Sequence, residues 1–407
     1  MNFLQFFIWG SWLLTIGAYW FQTKKWSGTD FGAIFSTMGI ASLFMPAVAG
    51  IVADKWINAE RLYGIFHIAG AVLLFILPQI NNPDLFFWIM LVCMMFYMPT
   101  IGLSITVAYT SLKMNKFSIV KAYPPIRVWG TIGFIVALWI ISLLGFETKP
   151  AQFYVASVSS LFLGLYAFSL PKCLPPAKGH RPDLASALGL NAFALFKSRK
   201  MASFFIFAML LGASLQLTNA YGDTFLHDFA KIPEYANLIA VKFPAIIMSV
   251  SQISETLFIL AIPFFLKRFG IKKVMLISMV AWIFRFGLFA YGNPDDGLWM
   301  IILSCIIYGM AFDFFNISGS IFVETQCIPA IRASAQGLFM MMTNGFGAFL
   351  GSRISGIVID QFFREGEHFL WKEIWISFAV YSLIVAVLFT FIFKHKHDPE
   401  EMEAAHH

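Results

Sequence analysis

Most of the polar residues that could do chemistry in this 407-residue chain sit inside runs of apolar residues. Glu255 follows Gln252 by three positions, which on a helix places an amide and a carboxyl on one face. Asp313 lies in the run Tyr308-Gly-Met-Ala-Phe-Asp-Phe-Phe-Asn316, with Phe312 beside it, Asn316 three residues on and Tyr308 four before Phe312. Gln216 and Asn219 repeat the three-residue spacing, and Arg127, Thr131 and Phe134 form a stripe at steps of four and three. Amides offer donor and acceptor together and can read the edge of a heterocyclic base; aromatic faces stack on a base; carboxylates accept bonds from sugar hydroxyls. A nucleoside has all three features, and a free sugar also satisfies this set of residue types. Covalent catalysis has no comparable support: there is no Gly-x-Ser-x-Gly, no His-Glu-x-x-His and no nucleophile with its base.

The elements that position these residues are membrane helices. Hydrophobic residues make up 59% of the chain and charged residues 12%, and mean hydropathy is +0.75, which excludes a soluble enzyme on an anchor. The apolar runs are continuous, not alternating, so a transmembrane barrel is disfavoured. At about 30 to 35 residues per span and loop, the length accommodates roughly twelve helices. Apolar windows fall near 3–22, 32–53, 63–80, 85–110, 127–146 and 152–170, then near 201–221, 243–266, 274–291, 297–320, 334–359 and 374–393. The expected organisation is a six-helix bundle over 1–170, a cytoplasmic linker over 171–200, a second six-helix bundle over 201–394 and a cytoplasmic tail over 395–407. Within the linker, 184–196 is mildly amphipathic and is expected to form a short surface helix.

With the N-terminus inside, nineteen of the 28 Lys and Arg residues fall in cytoplasmic loops and tail and seven in the opposite loops, which predicts both termini inside. The net charge of +6 is thus topological, and no nucleic-acid partner is expected. The four cysteines have neither disulfide-framework nor zinc spacing, and no metal is expected.

An ionisable side chain at the bilayer centre costs at least about 2.5 to 3.5 kcal/mol, so Glu255 and Asp313 are read as functional. Asn316 and Asn344 are read as helix-linking amides, Arg285 as a structural counter-ion, and Gly347-x-x-x-Gly351 as close helix packing. Asp54, Glu324 and Arg332 are expected in gating or structural ion pairs, the last two with each other at the cytoplasmic end. His67 has no ligand spacing.

The loops after the second span of each half echo one another, with Gly50, Asp54, Lys55 and Arg61 in one and Arg268-Phe-Gly-Ile-Lys-Lys273 in the other. This resembles the loop signature of the Major Facilitator Superfamily, although Ile57 replaces an expected glycine. More specific are Leu4-Gln-Phe-Phe-Ile-Trp-Gly-Ser-Trp12, Pro124-Pro-Ile-Arg-Val-Trp-Gly-Thr-Ile-Gly-Phe134, Ser251-Gln-Ile-Ser-Glu-Thr-Leu-Phe258, Ala311-Phe-Asp-Phe-Phe-Asn-Ile-Ser-Gly319 and Ile331-Arg-Ala-Ser-Ala-Gln-Gly337. These are similar to segments of the bacterial nucleoside:proton symporters of that superfamily. The resemblance implies an all-α integral membrane protein of twelve transmembrane helices, in the bacterial inner membrane, that takes up nucleosides with protons by alternating access. It implies no cofactor beyond the proton gradient, and a monomer in the lipid bilayer is expected. By the same resemblance Arg127, Thr131, Gln216, Asn219, Gln252, Glu255 and Asp313 occupy pocket positions, with Phe134, Tyr308 and Phe312 nearby. Asp313 and Glu255 are expected to divide hydroxyl binding and proton exchange, with Arg127 favouring the charged form of one. A proton-coupled sugar or drug carrier is the alternative.

Overall fold

The computed structural model describes residues 1–117, 119–173, 190–327, 331–366 and 368–395; within these, the side chains of Asp54, Lys55, Ile119, Val120, Lys121, Pro124, Leu190, Asn191, Arg332 and Ala333 are left out. The chain divides into two compact units, Met1–Leu188 and Gly189–His407. The first contains α1 (Asn2–Gly10), α2 (Ile16–Ala18), α3 (Gly28–Lys55), α4 (Ala59–Ile76), α5 (Pro83–Met114), α6 (Ile119–Leu143) and α7 (Ala151–Ala167). The second contains α8 (Arg199–Asp228), α9 (Ile239–Lys242), α10 (Pro244–Tyr291), α11 (Leu298–Gln326), α12 (Arg332–Met340), α13 (Ala348–Phe362), a two-stranded hairpin (Arg364–Glu365 with His368–Phe369) and α14 (Trp371–Ile392).

Eight helices among the described residues are long and apolar enough to cross a membrane. The surfaces of these eight are inverted relative to a soluble protein: Leu260 and Phe391 are 77% and 74% exposed, whereas Asp313 and Arg285 are buried. The other expected spans take less regular forms. Pro244–Tyr291 is two helices meeting at Gly270, whose φ of 75° lies where only glycine is unstrained. α7 is 17 residues long. The segment 332–362 is α12, a π-helical turn over Met341–Gly347, and α13. The first expected span is also broken: α1 ends at Gly10, residues 11–15 form turns, and a π-helix covers Tyr19–Lys24. There the Ser11 hydroxyl shares the Phe7 carbonyl with the Ser11 amide, at 2.8 and 3.0 Å, and Thr15 Oγ1 donates to the Gln152 side-chain Oε1 at 2.8 Å.

Several helices run past the apolar windows, as α5 does to Met114 and α11 to Gln326, because their ends are set by caps and polar turns and not by lipid. Asn82 caps α5 by accepting from the Leu85 amide at 3.1 Å, and Ser27 caps α3 by accepting from the Asp30 amide at 3.0 Å. In the linker, Leu190–Lys197 is a 3-10 helix; the earlier part of the expected surface helix lies outside the described residues.

Glycines set the closest helix contacts. A Cβ on Gly10 would stand 2.6 Å from the Phe134 carbonyl oxygen, and one on Gly133 would strike the Phe3 backbone, so α1 lies against α6 main chain to main chain. In the second unit Gly212 meets the Thr343 carbonyl, Gly347 the Met209 carbonyl, and a Cβ on Gly351 would stand 2.6 Å from Ala213 Cα. The Gly347-x-x-x-Gly351 pair is therefore close packing, against α8.

Candidate functional site

In the second unit the expected residues come from three helices. A Cβ on Gly309 of α11 would lie 2.7 Å from the Glu255 amide nitrogen and from the Ser254 carbonyl, so the absent side chain is what lets α10 approach α11. Ser254 Oγ donates to the Ile306 carbonyl and Ser278 Oγ to the Ala311 carbonyl, fixing that contact on both arms of α10. Glu255 thereby comes within electrostatic reach of both Tyr308 and Asp313.

Tyr308 and Phe312 stack with ring centroids 6.1 Å apart and planes 15° apart, and Trp282 meets Tyr308 edge-on at 6.0 Å. Asp313 is 3% exposed, and its Oδ2 has no hydrogen-bond partner. The same is true of the side-chain carbonyl oxygens of Gln216 and Gln252. Asn219, on α8 with Gln216, is half-buried. Buried polar atoms in native proteins are nearly always satisfied, so these three oxygens are open to a ligand or water, as are Ser352 Oγ and Ser382 Oγ elsewhere in the unit.

Arg285 is fully buried beside this group and departs from its expected role. Its Nε donates to Thr218 Oγ1 at 2.9 Å and Nη1 to the Ser304 carbonyl at 2.8 Å, while the guanidinium lies over the rings of Tyr308 at 4.6 Å and Phe289 at 5.0 Å. It pairs with no carboxylate among the described residues. Ring faces, a hydroxyl and a carbonyl hold the cation in place of a counter-ion. Asn316 and Asn344 also depart from expectation. Asn316 makes no hydrogen bond among the described residues, and the Asn344 amide reaches only Met340 Sδ at 3.9 Å, so neither links helices. Both line a narrow recess with Leu211, Trp282, Phe312 and Thr343, which encloses about 20 Å3. Gln216, Gln252, Glu255 and Asp313 are not part of its lining, so the recess adjoins the acids without enclosing them.

In the first unit, Arg127, Thr131 and Phe134 ride on α6. The Arg127 guanidinium sits 4.2 Å from the Phe6 ring centroid, and Phe134 is 9% exposed with its backbone against Gly10. Sequence reasoning missed a buried network beside them. Gln5 Nε2 donates to Thr100 Oγ1 at 2.8 Å, and Gln5 Oε1 accepts from Tyr63 OH at 2.7 Å and from His67 Nε2 at 2.9 Å. Because that oxygen only accepts, Nε2 carries the imidazole proton; Nδ1 lies 3.1 Å from Ser160 Oγ. Tyr97 OH donates to the Gln5 carbonyl at 2.6 Å. The sequence signals were Gln5, an amide in an apolar run, and the lone His67. The expected ion-pair roles of Asp54 and of Glu324 with Arg332 fall on side chains, those of Asp54 and Arg332, that lie outside the described residues.

A family profile described as nucleoside H+ symporter matches residues 1–398. The chain is 54% identical over 404 residues to the xanthosine permease of Escherichia coli (strain K12), covering 99% of this chain and 96% of that protein. It is 53% identical over 399 residues to the nucleoside permease NupG of the same organism, covering 98% of this chain and 95% of NupG. A crystal structure of a point mutant of NupG matches with a TM-score of 0.94 at 52% identity, over 97% of this chain and 98% of that one.

Proposed function

We propose, from the premise that this chain belongs to the nucleoside H+ symporter family, that it carries purine and pyrimidine nucleosides inward with protons by alternating access across a bacterial inner membrane. The relatives it matches over nearly their whole length are permeases and not enzymes. The observation that carries the site assignment is the set of unpaired buried oxygens on Gln216, Gln252 and Asp313 beside the Tyr308–Phe312 stack.

The amides of Gln216, Asn219 and Gln252 read the edge of the base, and Tyr308 and Phe312 support its face. Glu255 and Asp313 serve the ribose hydroxyls and the proton: two carboxyl groups in reach of each other can hold a substrate hydroxyl on one and exchange a proton on the other. In the first unit, Arg127, Thr131 and Phe134 are substrate-binding residues. Arg285 positions the Tyr308 ring. No cofactor is required, since the proton gradient supplies the energy: one proton moving through about 100 mV releases roughly 2.3 kcal/mol, enough for about fifty-fold accumulation of a neutral solute.

The membrane organisation follows the same reading. With 2–24, 151–167, 332–362 and the two arms of Pro244–Tyr291 each taken as a span, twelve helices result, six in 1–170 and six in 201–394, joined by a linker over 171–200. Both termini and the tail over 395–407 are cytoplasmic by the distribution of Lys and Arg, and the working unit is a monomer in the lipid bilayer.

Uptake of labelled uridine and adenosine by proteoliposomes, with an inward proton gradient and with that gradient collapsed by an uncoupler, tests this. Gradient-dependent accumulation of either nucleoside is expected. Entry that never exceeds equilibrium would remove the proton from the mechanism, and no entry of any nucleoside would overturn the substrate assignment.

A further inference from the structure

The polar face of α11 does not end at Asp313. Asp313, Asn316, Ser320 and Glu324 follow one another at steps of three, four and four, so they share a face that runs towards the helix C-terminus. Two recesses lie along it. The first is the one lined by Trp282, Phe312, Asn316 and Asn344; the second, about 530 Å3 of atom-free space, is bordered by Asn316, Ser320, Gln336 and Met340. Asn316 is common to both.

The amides along this track are in two different states. Ser320 and Gln336 satisfy each other, with Ser320 Oγ donating to Gln336 Oε1 at 3.1 Å and Gln336 Nε2 donating to the Ser320 carbonyl at 2.7 Å. Asn316 makes no hydrogen bond among the described residues, and Asn344 offers its nitrogen only to a thioether, leaving its carbonyl oxygen open. Asn344 reaches the recess because it lies in the π-helical turn Met341–Gly347, a local widening of the helix of the kind that recurs at functional sites. Two open amides facing a recess walled by Trp282, Phe312 and Phe315 combine hydrogen-bond donors, acceptors and ring faces without a carboxylate. That is the chemistry of a heterocyclic base; this recess itself encloses about 20 Å3, and the adjoining one that shares Asn316 encloses about 280 Å3.

We infer that Asn316 and Asn344 form a second nucleoside-binding station, on the side of Asp313 towards the α11 C-terminus, which receives the base after it leaves Gln216 and Gln252. Phe312 borders both stations, so its ring gives the base a continuous surface between them. The inference rests on the proposed nucleoside reading and adds a location and two residues to it.

Uptake by reconstituted wild type, Asn316→Ala and Asn344→Ala tests it, with adenosine compared against purine riboside, which lacks the exocyclic amine. A lost amide contact raises KM for adenosine about three- to tenfold, the weight of one or two net hydrogen bonds, and raises KM for purine riboside less, so discrimination between the two narrows. A merely structural amide would change both substrates alike. If wild type carries no nucleoside, the proposed function has failed; if it carries nucleosides and both variants keep wild-type KM and discrimination, the second station is overturned. Should an alanine variant fail to insert, Asn316→Ser and Asn344→Ser, which keep a small polar group, are read by the same adenosine to purine riboside ratio.

Discussion

Replacing Gly309 by alanine tests the reasoning about the acids most directly. The added Cβ would sit 2.7 Å from the Glu255 amide nitrogen, the Ser254 carbonyl carbon and its oxygen, and all three are backbone atoms that no rotamer change can move. Ordinary contact begins at 3.4 Å, so α10 must recede from α11 by about 0.7 Å at Glu255. Overpacking of this kind costs about 1 to 3 kcal/mol, and a misplacement approaching 1 Å at a reacting group costs up to about a hundredfold in rate. Gly309→Ala is therefore expected to lower the detergent-solubilised melting temperature and to lower proton-driven uridine accumulation by tenfold or more, to order of magnitude. The control is on the neighbouring helix: Gly287 of α10 has nothing within 4 Å of the Cβ position, so Gly287→Ala should transport normally and be equal or slightly greater in stability. Wild-type accumulation by Gly309→Ala in proteoliposomes, with Gly287→Ala alongside, would refute the argument that this close approach sets the position of Glu255.

Other expectations follow from individual contacts. In Asp313→Asn and Glu255→Gln, gradient-driven accumulation should fall in at least one variant while counterflow exchange survives; unchanged accumulation in both removes the acids from proton coupling. Gln5→Leu leaves Tyr63 OH, His67 Nε2–H and Thr100 Oγ1 short of partners, and at about 1 to 3 kcal/mol per stranded group it should cost 3 kcal/mol or more in unfolding stability. Arg285→Met removes the donors to Thr218 Oγ1 and the Ser304 carbonyl and frees the Tyr308 ring, so a fall in both melting temperature and nucleoside affinity is expected, and an unchanged affinity would show that Tyr308 does not need its cation. Cys173, in the loop after α7, has its thiol pushed up chiefly by burial. Its thiolate is therefore scarce at pH 8, and alkylation in the folded protein should be far slower than for an exposed cysteine and should rise with pH over the range where an ordinary thiol has levelled off.

What could be read in the sequence was whatever repeats with helical period. Apolar runs located the membrane helices, and the steps of three and four around Glu255 and Asp313 placed those residues on helix faces that α10 and α11 bring within electrostatic reach of each other. The glycine pair at 347 and 351 was legible for the same reason. The Gln5 network was not, because its members are spread over α1, α4, α5 and α7, and the pairs Tyr63–His67 and Tyr97–Thr100, though at helical spacing, are ordinary for any helix face. The break in the first span was hidden too, since Ser11 and Thr15 among apolar residues do not by themselves mark a helix end. Arg285 misled because a buried cation suggests a carboxylate, whereas ring faces and carbonyls far apart in the chain hold it. Asn316 and Asn344 misled in the opposite direction, since a membrane amide suggests a partner and these have open space.

The contact of Gly212, Gly347 and Gly351 has a consequence for how specificity can change. Main chain touches main chain along that seam, so α8 and the Met341–Gly347 turn have no side chains between them to repack and must behave as one body. Gln216 on one member and Asn344 on the other are thus mounted on a common frame, and their spacing is fixed by backbone geometry. On the proposed reading, a shift in base preference is then achieved by exchanging the mounted side chains, with effects of paired substitutions that depend on each other, while a side chain at any of the three glycines alters every preference at once.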